Sequence, residues 1–363
     1  MKIITSQKNL IKALNIVERI ISKNPSLPIL NNLLLKTENG RLKISATNLE
    51  IGINYFLGVK IDEVGEIAVP AKIFSDFIGN SGEDKITLIT KNNILNINTD
   101  KYKTQILSFD PKEFPIIPKI KSTSFLSIPG KILKSGLSTV FDSISISETR
   151  PELSGVYIQF NSNKLIMAAT DSFRLTEKII ELKQKEDISF ILPRATVMEL
   201  IRILGDINED ILIKYENSQI IFYNNDFEII SRLIDGNYPD YKKVIPDKYI
   251  SKALVKKEDI EKSVRLAGIF SSNISDIKIS CGEKAINITA KNSNRGEIQT
   301  VVESLLKNEP FNVSLNYYYL LDGLKIIPTK NVVLEYTGQG SPLVIKPEDN
   351  NKDITYLIMP LRK

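Results

Sequence analysis

The chain has 363 residues, 48 basic and 43 acidic, a formal charge of +5, no histidine and a single cysteine. Without imidazole there is no Ser-His-Asp or Cys-His nucleophile system and no His-ligated zinc. The lone Cys281 excludes an internal disulfide or a multi-cysteine metal cluster and reads as a buried thiol. An apolar content of 42% with 25% charged residues is that of a globular protein with room for two or three domains. Met1 to Lys8 carries no apolar leader and no apolar run approaches eighteen residues, so a cytoplasmic, non-membrane protein is expected.

In chain order, a strand is expected at Lys2 to Thr5 and a helix from Gln7 to Ser22, with Ser6 as its N-cap. Leu10, Leu14, Val17, Ile20 and Ile21 form one face of that helix, and Lys8, Lys12, Asn15, Arg19 and Lys23 a different stripe. Pro25-Ser26-Leu27-Pro28 breaks the helix. Strands follow at Leu33–Leu35 and Leu42–Ser45 around Asn39-Gly40, and a second helix after Val69-Pro70. Further strands are expected over Ile86–Ile97 and Thr104–Phe109, before a Pro- and Lys-rich connection to Lys121.

The same order recurs. A strand at Phe125–Ile128, a helix from Pro129 to Ser143, strands at Val156–Phe160 and Leu165–Ala169, a helix after Leu192-Pro193, and strands at Ile211–Tyr215 and Ile220–Tyr223 lead to Asp235-Gly236-Asn237-Tyr238-Pro239-Asp240-Tyr241. A third round has strands at Ala253–Val255, Ile277–Ser280 and Ala285–Thr289, helices over Lys257–Phe270 and from Asn316, and strands at Val332–Tyr336 and Tyr356–Met359. Ala46, Ala169 and Ala290, Pro70, Pro193 and Asn316, and Pro115 and Pro239 are spaced by 121 to 124 residues. These landmarks, recurring in the same order, argue for one unit used three times. That unit is too large for a solenoid repeat and is an α+β domain with two helices on antiparallel sheet.

Four motifs then carry a resemblance: Pro25-Ser26-Leu27-Pro28-Ile29-Leu30, Ala169-Thr170-Asp171-Ser172-Phe173-Arg174-Leu175, Asp235 to Tyr241, and Met359-Pro360-Leu361-Arg362. Together they resemble the bacterial DNA polymerase III beta subunits, the replicative sliding clamps, over the whole chain. The resemblance implies three repeated DNA-clamp domains over 1–121, 122–247 and 248–363. It implies a head-to-tail homodimer forming a six-domain ring around double-stranded DNA, with no chemistry and no cofactor of its own. The implied partners are the polymerase catalytic subunit, a clamp loader and other clamp-motif proteins.

Three sets of residues follow from the resemblance. The first is a sequence-independent phosphate contact by helix cations, for which Lys8, Lys12, Arg19, Lys23, Lys72, Lys131, Lys134, Arg194, Arg202, Lys262, Arg265 and Lys325 are the candidates. Asn24 departs from an arginine found there in the family, with Lys23 beside it. The second is a peptide pocket of Leu153, Thr170, Ser172, Phe173, Arg174, Leu175, Pro239, Lys243, Val244, Asn316, Tyr319, Met359, Pro360, Leu361 and Arg362. In it apolar groups make an adaptable groove, and Thr, Asn and Arg fix a peptide backbone. Core packing is the alternative for Leu175, Val244 and Met359. Ser172-Phe173 departs from a commoner Gly-His pair, and Lys243 from arginine. The third is a subunit interface of Thr104 and Ile106 on an edge strand against Ile269 and Phe270 at a helix end.

No GxxxxGK[ST] or GxGxxG phosphate loop occurs, since Gly338-Gln339-Gly340-Ser341 is too short, and no paired-carboxylate signature stands out. The rival from another class is a repeat-built adaptor that binds proteins without DNA.

Overall fold

The computed structural model describes residues 1–21, 27–120, 125–147, 149–161, 163–183, 186–205, 207–216, 218–348 and 353–361. The first repeat runs β1 (Lys2–Ser6), α1 (Gln7–Val17), β2 (Asn32–Glu38), β3 (Arg41–Thr47), β4 (Ile51–Gly58), β5 (Lys60–Glu63) and β6 (Glu66–Pro70). It ends with α2 (Ala71–Asn80), β7 (Lys85–Lys91), β8 (Ile94–Asn98) and β9 (Lys103–Leu107). The second has β10 (Leu126–Pro129), α3 (Gly130–Val140), β11 (Gly155–Asn161), β12 (Lys164–Thr170) and β13 (Arg174–Glu181). β14 (Ile188–Pro193), α4 (Arg194–Leu204), β15 (Asp210–Glu216), β16 (Gln219–Tyr223) and β17 (Phe227–Arg232) complete it. The third has β18 (Ser251–Lys256), α5 (Lys257–Ile269), β19 (Asp276–Cys281), β20 (Ala285–Asn292) and β21 (Gly296–Lys307). After them come β22 (Phe311–Asn316), α6 (Tyr317–Ile326), β23 (Asn331–Tyr336), β24 (Leu343–Pro347) and β25 (Ile354–Ile358).

Local chemistry explains where the helices start. The Ser6 hydroxyl accepts from the Asn9 N–H at 3.3 Å, and α1 buries Leu10, Ala13, Leu14 and Val17 as a stripe of helical period. Asn316 caps α6 in the same way, its side chain accepting from the Tyr318 N–H at 2.9 Å. Glu258 and Asp259 occupy the first turn of α5, where the helix dipole favours anions. Helix α1 stops at Val17 rather than Ser22. A 3₁₀ turn over Glu18–Ile20, closed by the Ile21 N–H on Glu18 O at 3.0 Å, tightens its end.

By packing, the chain forms two compact units, Met1–Ile132 with Arg202–Leu233, and Leu133–Ile201 with Ile234–Lys363. The first holds a five-stranded sheet, β5-β1-β7-β8-β9, and an eight-stranded sheet, β10-β15-β16-β17-β4-β3-β2-β6. The second holds a twelve-stranded sheet, β14-β11-β12-β13-β25-β24-β23-β18-β21-β20-β19-β22. The packing units do not coincide with the repeats because strands of successive repeats pair. In the first unit β17 lies antiparallel to β4, with Phe227 opposite Tyr55 and Ser231 opposite Ile51. In the second β25 lies antiparallel to β13, with Arg174 opposite Ile358 and Lys178 opposite Ile354.

Several of these strands have no counterpart in the sequence reading: β4, β5, β6, β13, β14, β17, β21, β22 and β24. Among them β4 is buried at six of its eight positions, so its apolar run lacks the alternation that marks a half-buried strand. The sequence reading names only the loop at Gly338-Gln339-Gly340-Ser341 here, yet β24 follows it at once and pairs with both β23 and β25.

Candidate functional site

The turn between β12 and β13 is built from its own side chains. The Thr170 hydroxyl donates to Arg174 O at 2.6 Å and accepts from the Ser172 N–H at 3.1 Å. One Asp171 oxygen accepts from the N–H groups of Phe173 and Arg174 at 2.9 and 3.0 Å, an Asx turn. Ser172 sits at φ +77°, in the left-handed region. The second Asp171 oxygen takes the Arg174 Nε–H at 3.0 Å, and Arg174 Nη1 bonds Asp322 of α6. The guanidinium lies 4.5 Å from the Tyr319 ring centre, a cation–π contact. Burial pulls the Arg174 pKa down, but Tyr356 and the carboxylates of Asp322 and Asp171 outweigh it, and the group is held above its ordinary range.

The C-terminal run lies against this turn. The Met359 N–H donates to Phe173 O at 2.8 Å, continuing the β13–β25 ladder, and the Leu361 N–H to Ser314 O at 2.9 Å. Tyr356, buried beneath, donates its hydroxyl to Tyr319 O at 2.7 Å. Gly323 lets that ring approach α6, since a Cβ there would lie 2.4 Å from it. On the other flank Tyr241 packs in a buried cluster with Leu175, Val344 and Leu357, and its hydroxyl donates to Glu177 at 2.7 Å. Burial, then that bond, pushes the Tyr241 pKa up.

The second unit therefore brings Thr170, Ser172, Phe173, Arg174, Tyr319, Met359 and Leu361 together, with Pro360 between the last two. Phe173 is 60% exposed and Val244 51%; Pro239, Tyr319 and Met359 to Leu361 are half-buried. Leu153 and Leu175 are core residues at 2% and 1% exposure. Leu153 follows Arg150, which reaches the Ser172 hydroxyl at 3.4 Å. Lys243 is exposed and pairs with Asp240 at 3.1 Å. Arg174 and Asn316, expected to hold a peptide backbone, are engaged within the chain, Arg174 by two carboxylates and Asn316 by its cap. Arg362 and Lys23 lie outside the described residues.

Lys8, Lys12, Arg19, Lys131, Lys262 and Arg265 are exposed, with no carboxylate at ion-pair distance among the described residues. The others are committed to varying degrees. Lys72 pairs with Asp76 at 3.0 Å, and Lys325 with Asp142 at 2.8 Å, a hydrogen bond that raises the Lys325 pKa. Arg194 lies over Phe141 at 4.2 Å and donates to its carbonyl; burial lowers its pKa. Arg202 donates to Ile16 O at 3.4 Å, and Lys134 is half-buried.

At the sheet ends, β9 closes the five-stranded sheet with no strand beyond it among the described residues. Ile106 is buried at 5% exposure in its own core, Thr104 half-buried, and the exposed apolar group on this strand is Leu107 at 76%. Ile269 is 57% exposed at the end of α5, while Phe270 packs against the third repeat's core. On β21, Val301 and Leu305 are exposed at 61% and 69%. The sequence reading missed Leu107, Val301 and Leu305. For Leu107, the signal was the Gln105-Ile106-Leu107 alternation, which puts Leu107 opposite Ile106.

Among the described residues no cluster of three or more acidic or cysteine side chains is placed to hold a metal, and no helix is long and apolar enough to cross a membrane. Burial pushes the Cys281 thiol up to about 11, so it stays protonated at neutral pH.

This fold and site define a three-domain clamp. The chain matches the DNA polymerase III beta subunit over its N-terminal domain at residues 1–118, central domain at 127–240 and C-terminal domain at 242–362. It is 30% identical over 370 residues to the beta sliding clamp of Staphylococcus epidermidis, covering 97% of each chain. Its fold is similar to the DNA polymerase sliding clamp of Bacillus subtilis, with a TM-score of 0.96 at 24% identity over 100% of this chain and 99% of that one. It is likewise similar to a Pseudomonas aeruginosa sliding clamp bound to griselimycin, with a TM-score of 0.96 at 23% identity over the whole of both chains. The chain belongs to the bacterial DNA polymerase III beta subunit family, the beta sliding clamps, and acts as a DNA sliding clamp, a processivity factor without catalysis.

Proposed function

We propose that the chain's three clamp domains, over 1–121, 122–247 and 248–363, close head to tail with a second copy into a ring around double-stranded DNA. One observation carries this reading. At each internal boundary, the strand after the repeated loop pairs antiparallel with the last strand of a later repeat: β4 with β17, and β13 with β25. The third such strand is β21. Along Gly296–Glu303 it pairs with β20 alone among the described residues. The first repeat's matching last strand is β9, whose outer edge is open. Two open edges of opposite kind can satisfy each other between copies, and repeating the contact closes a ring. Leu107, Ile269 and Val301 give that seam its apolar lining. Exposed Lys8, Lys12, Arg19, Lys131, Lys262 and Arg265 supply a sequence-blind field for phosphates. The turn at Thr170–Arg174 with Phe173, Val244 and Met359 to Arg362 receives linear peptides of the polymerase, the clamp loader and other clamp-binding proteins in the cytoplasm.

The test is topological. After loading onto nicked circular DNA, the ring is expected to survive a high-salt wash and to be lost when that DNA is linearised. Equal retention on linear DNA would overturn encirclement. The double variant Leu107→Asp and Ile269→Asp is expected to sediment as a monomer, and an unchanged dimer would overturn the seam.

A further inference from the structure

The segment after the first repeat and the segment after the second are equivalent: the 124-residue step from Pro115 to Pro239 carries Ile117 onto Tyr241. The surroundings agree. Ile117 packs on Gly52, where a Cβ would lie 2.7 Å from its Cγ2, and Tyr241 packs with Leu175, the residue matching Gly52. In the second repeat a phenol ring therefore fills the position, edge-on to Tyr157 at 6.1 Å, with its hydroxyl on Glu177. In the first, the aliphatic Ile117 stands beside a cavity of about 370 Å³, a size that holds small ligands and side chains.

Its chemistry is one-sided. Arg41, Lys43, Lys119 and Lys214 line it against two carboxylates, Glu38 and Glu228. Glu38 is shared by Lys43 and Lys119, each at 3.6 Å, and Glu228 accepts from the Asn54 amide at 2.9 Å. Arg41 covers the Phe56 ring at 4.7 Å and donates to Asn225 O. Lys214 lies 5.5 Å from the Tyr223 ring centre. Neither Arg41 nor Lys214 has a carboxylate at ion-pair distance among the described residues, and both are held against aromatic faces. We propose that this cavity docks a partner peptide carrying an aromatic side chain flanked by carboxylates. The ring takes the space that Tyr241 fills in the second repeat, and the carboxylates pair with Arg41 and Lys214. The site is separate from the turn at Thr170–Arg174, and the proposal does not depend on that turn binding peptides.

The test is fluorescence anisotropy of the full chain with a labelled acidic pentapeptide holding a central tyrosine. Saturable binding is expected, at least tenfold weaker in the double variant Arg41→Glu and Lys214→Glu, and at least tenfold weaker in Ile117→Tyr, which copies the second repeat. Circular dichroism melts report whether each variant folds. If Ile117→Tyr fails to fold, the charge variant decides alone, and Lys214→Glu by itself replaces it should the double variant also fail. Replacing the peptide's tyrosine by alanine is expected to weaken binding at least fivefold. Equal binding of the alanine peptide, full displacement by inorganic phosphate or by an oligonucleotide, or loss of binding in Arg174→Ala with none in Lys214→Glu would each overturn the proposal.

Discussion

Two loops of this clamp share their wiring and differ in the charges they carry. In the first repeat the Thr47 hydroxyl donates to Ile51 O and accepts from the Leu49 N–H, both at 3.0 Å. Asn48 Oδ1 accepts from the Glu50 and Ile51 N–H groups, and Leu49 sits at φ +76°. In the second repeat Thr170, Asp171, Ser172, Phe173 and Arg174 make the same four bonds with Ser172 at φ +77°. The hydroxyl and the Asx oxygen are what the turn requires, which is why both loops keep them. Asp171 differs from Asn48 by a second anionic oxygen, and Arg174 replaces Ile51. That pair reaches Asp322 and Tyr319 of α6, so the second turn is tied to the third repeat through side chains, whereas the first meets the second repeat through its backbone, the Arg232 N–H donating to Glu50 O at 3.0 Å. A fold device becomes an attachment point through two substitutions.

The largest break in this comparison is Arg174→Ala. It strips two carboxylates of their partner, with an expected loss of about 2–3 kcal/mol by denaturant unfolding. Binding of a clamp-motif peptide is expected to fall at least tenfold, whereas Ile51→Ala in the first loop leaves peptide binding unchanged. Alkaline titration separates the two units next. Cys281, raised to about 11 from 9.0, and the raised, buried phenols of Tyr238, Tyr241 and Tyr356 all lie in the second unit. Each is neutral when folded and ionises first in the unfolded chain, so stability is unaffected below pH 9 and falls as pH rises above it. Thermal melts are expected to drop between pH 9 and 11, with hydrogen exchange rising first in the twelve-stranded sheet. Asp171→Asn, which copies Asn48, is expected to keep the turn and cost about 1 kcal/mol through the lost charge; loss of the Ser172 left-handed geometry by NMR would refute the shared wiring. Smallest is Leu49→Gly, which removes a side chain from a left-handed position, with an expected gain of about 0.5 kcal/mol measured as a rise in Tm.

The threefold order was legible because its markers are local: prolines at helix starts, an Asx residue in each turn, a capping Ser6 or Asn316. The strands that join one repeat to the next were not. β4 is buried on both faces over most of its length, and β13 buries Leu175, Thr176 and Glu177 in succession, so no alternation marks either. β21 carries paired apolar residues, Val301-Val302 and Leu305-Leu306, because it switches partner from β20 to β18 along its length. The residues gathered around the Thr170–Arg174 turn were named as a set by the resemblance, but their structural roles were not. Only tertiary placement brings Asp322 to Arg174, 148 residues away, and turns an expected peptide ligand into the group that holds the turn. For the same reason Ile106 reads as an interface residue from its position yet faces inward, and Leu107 takes the outer side.

The proposed seam between β9 and β21 has a consequence for subunit identity. Main-chain amides and carbonyls are common to every protein, so a junction formed mainly by a strand ladder carries almost no address. Discrimination between this chain and a related clamp in the same cell would rest on a few side chains, Leu107, Ile269 and Val301 foremost. Relatives that keep those three apolar are then expected to exchange into mixed rings, and a single charged residue at one of them would be enough to keep two populations apart.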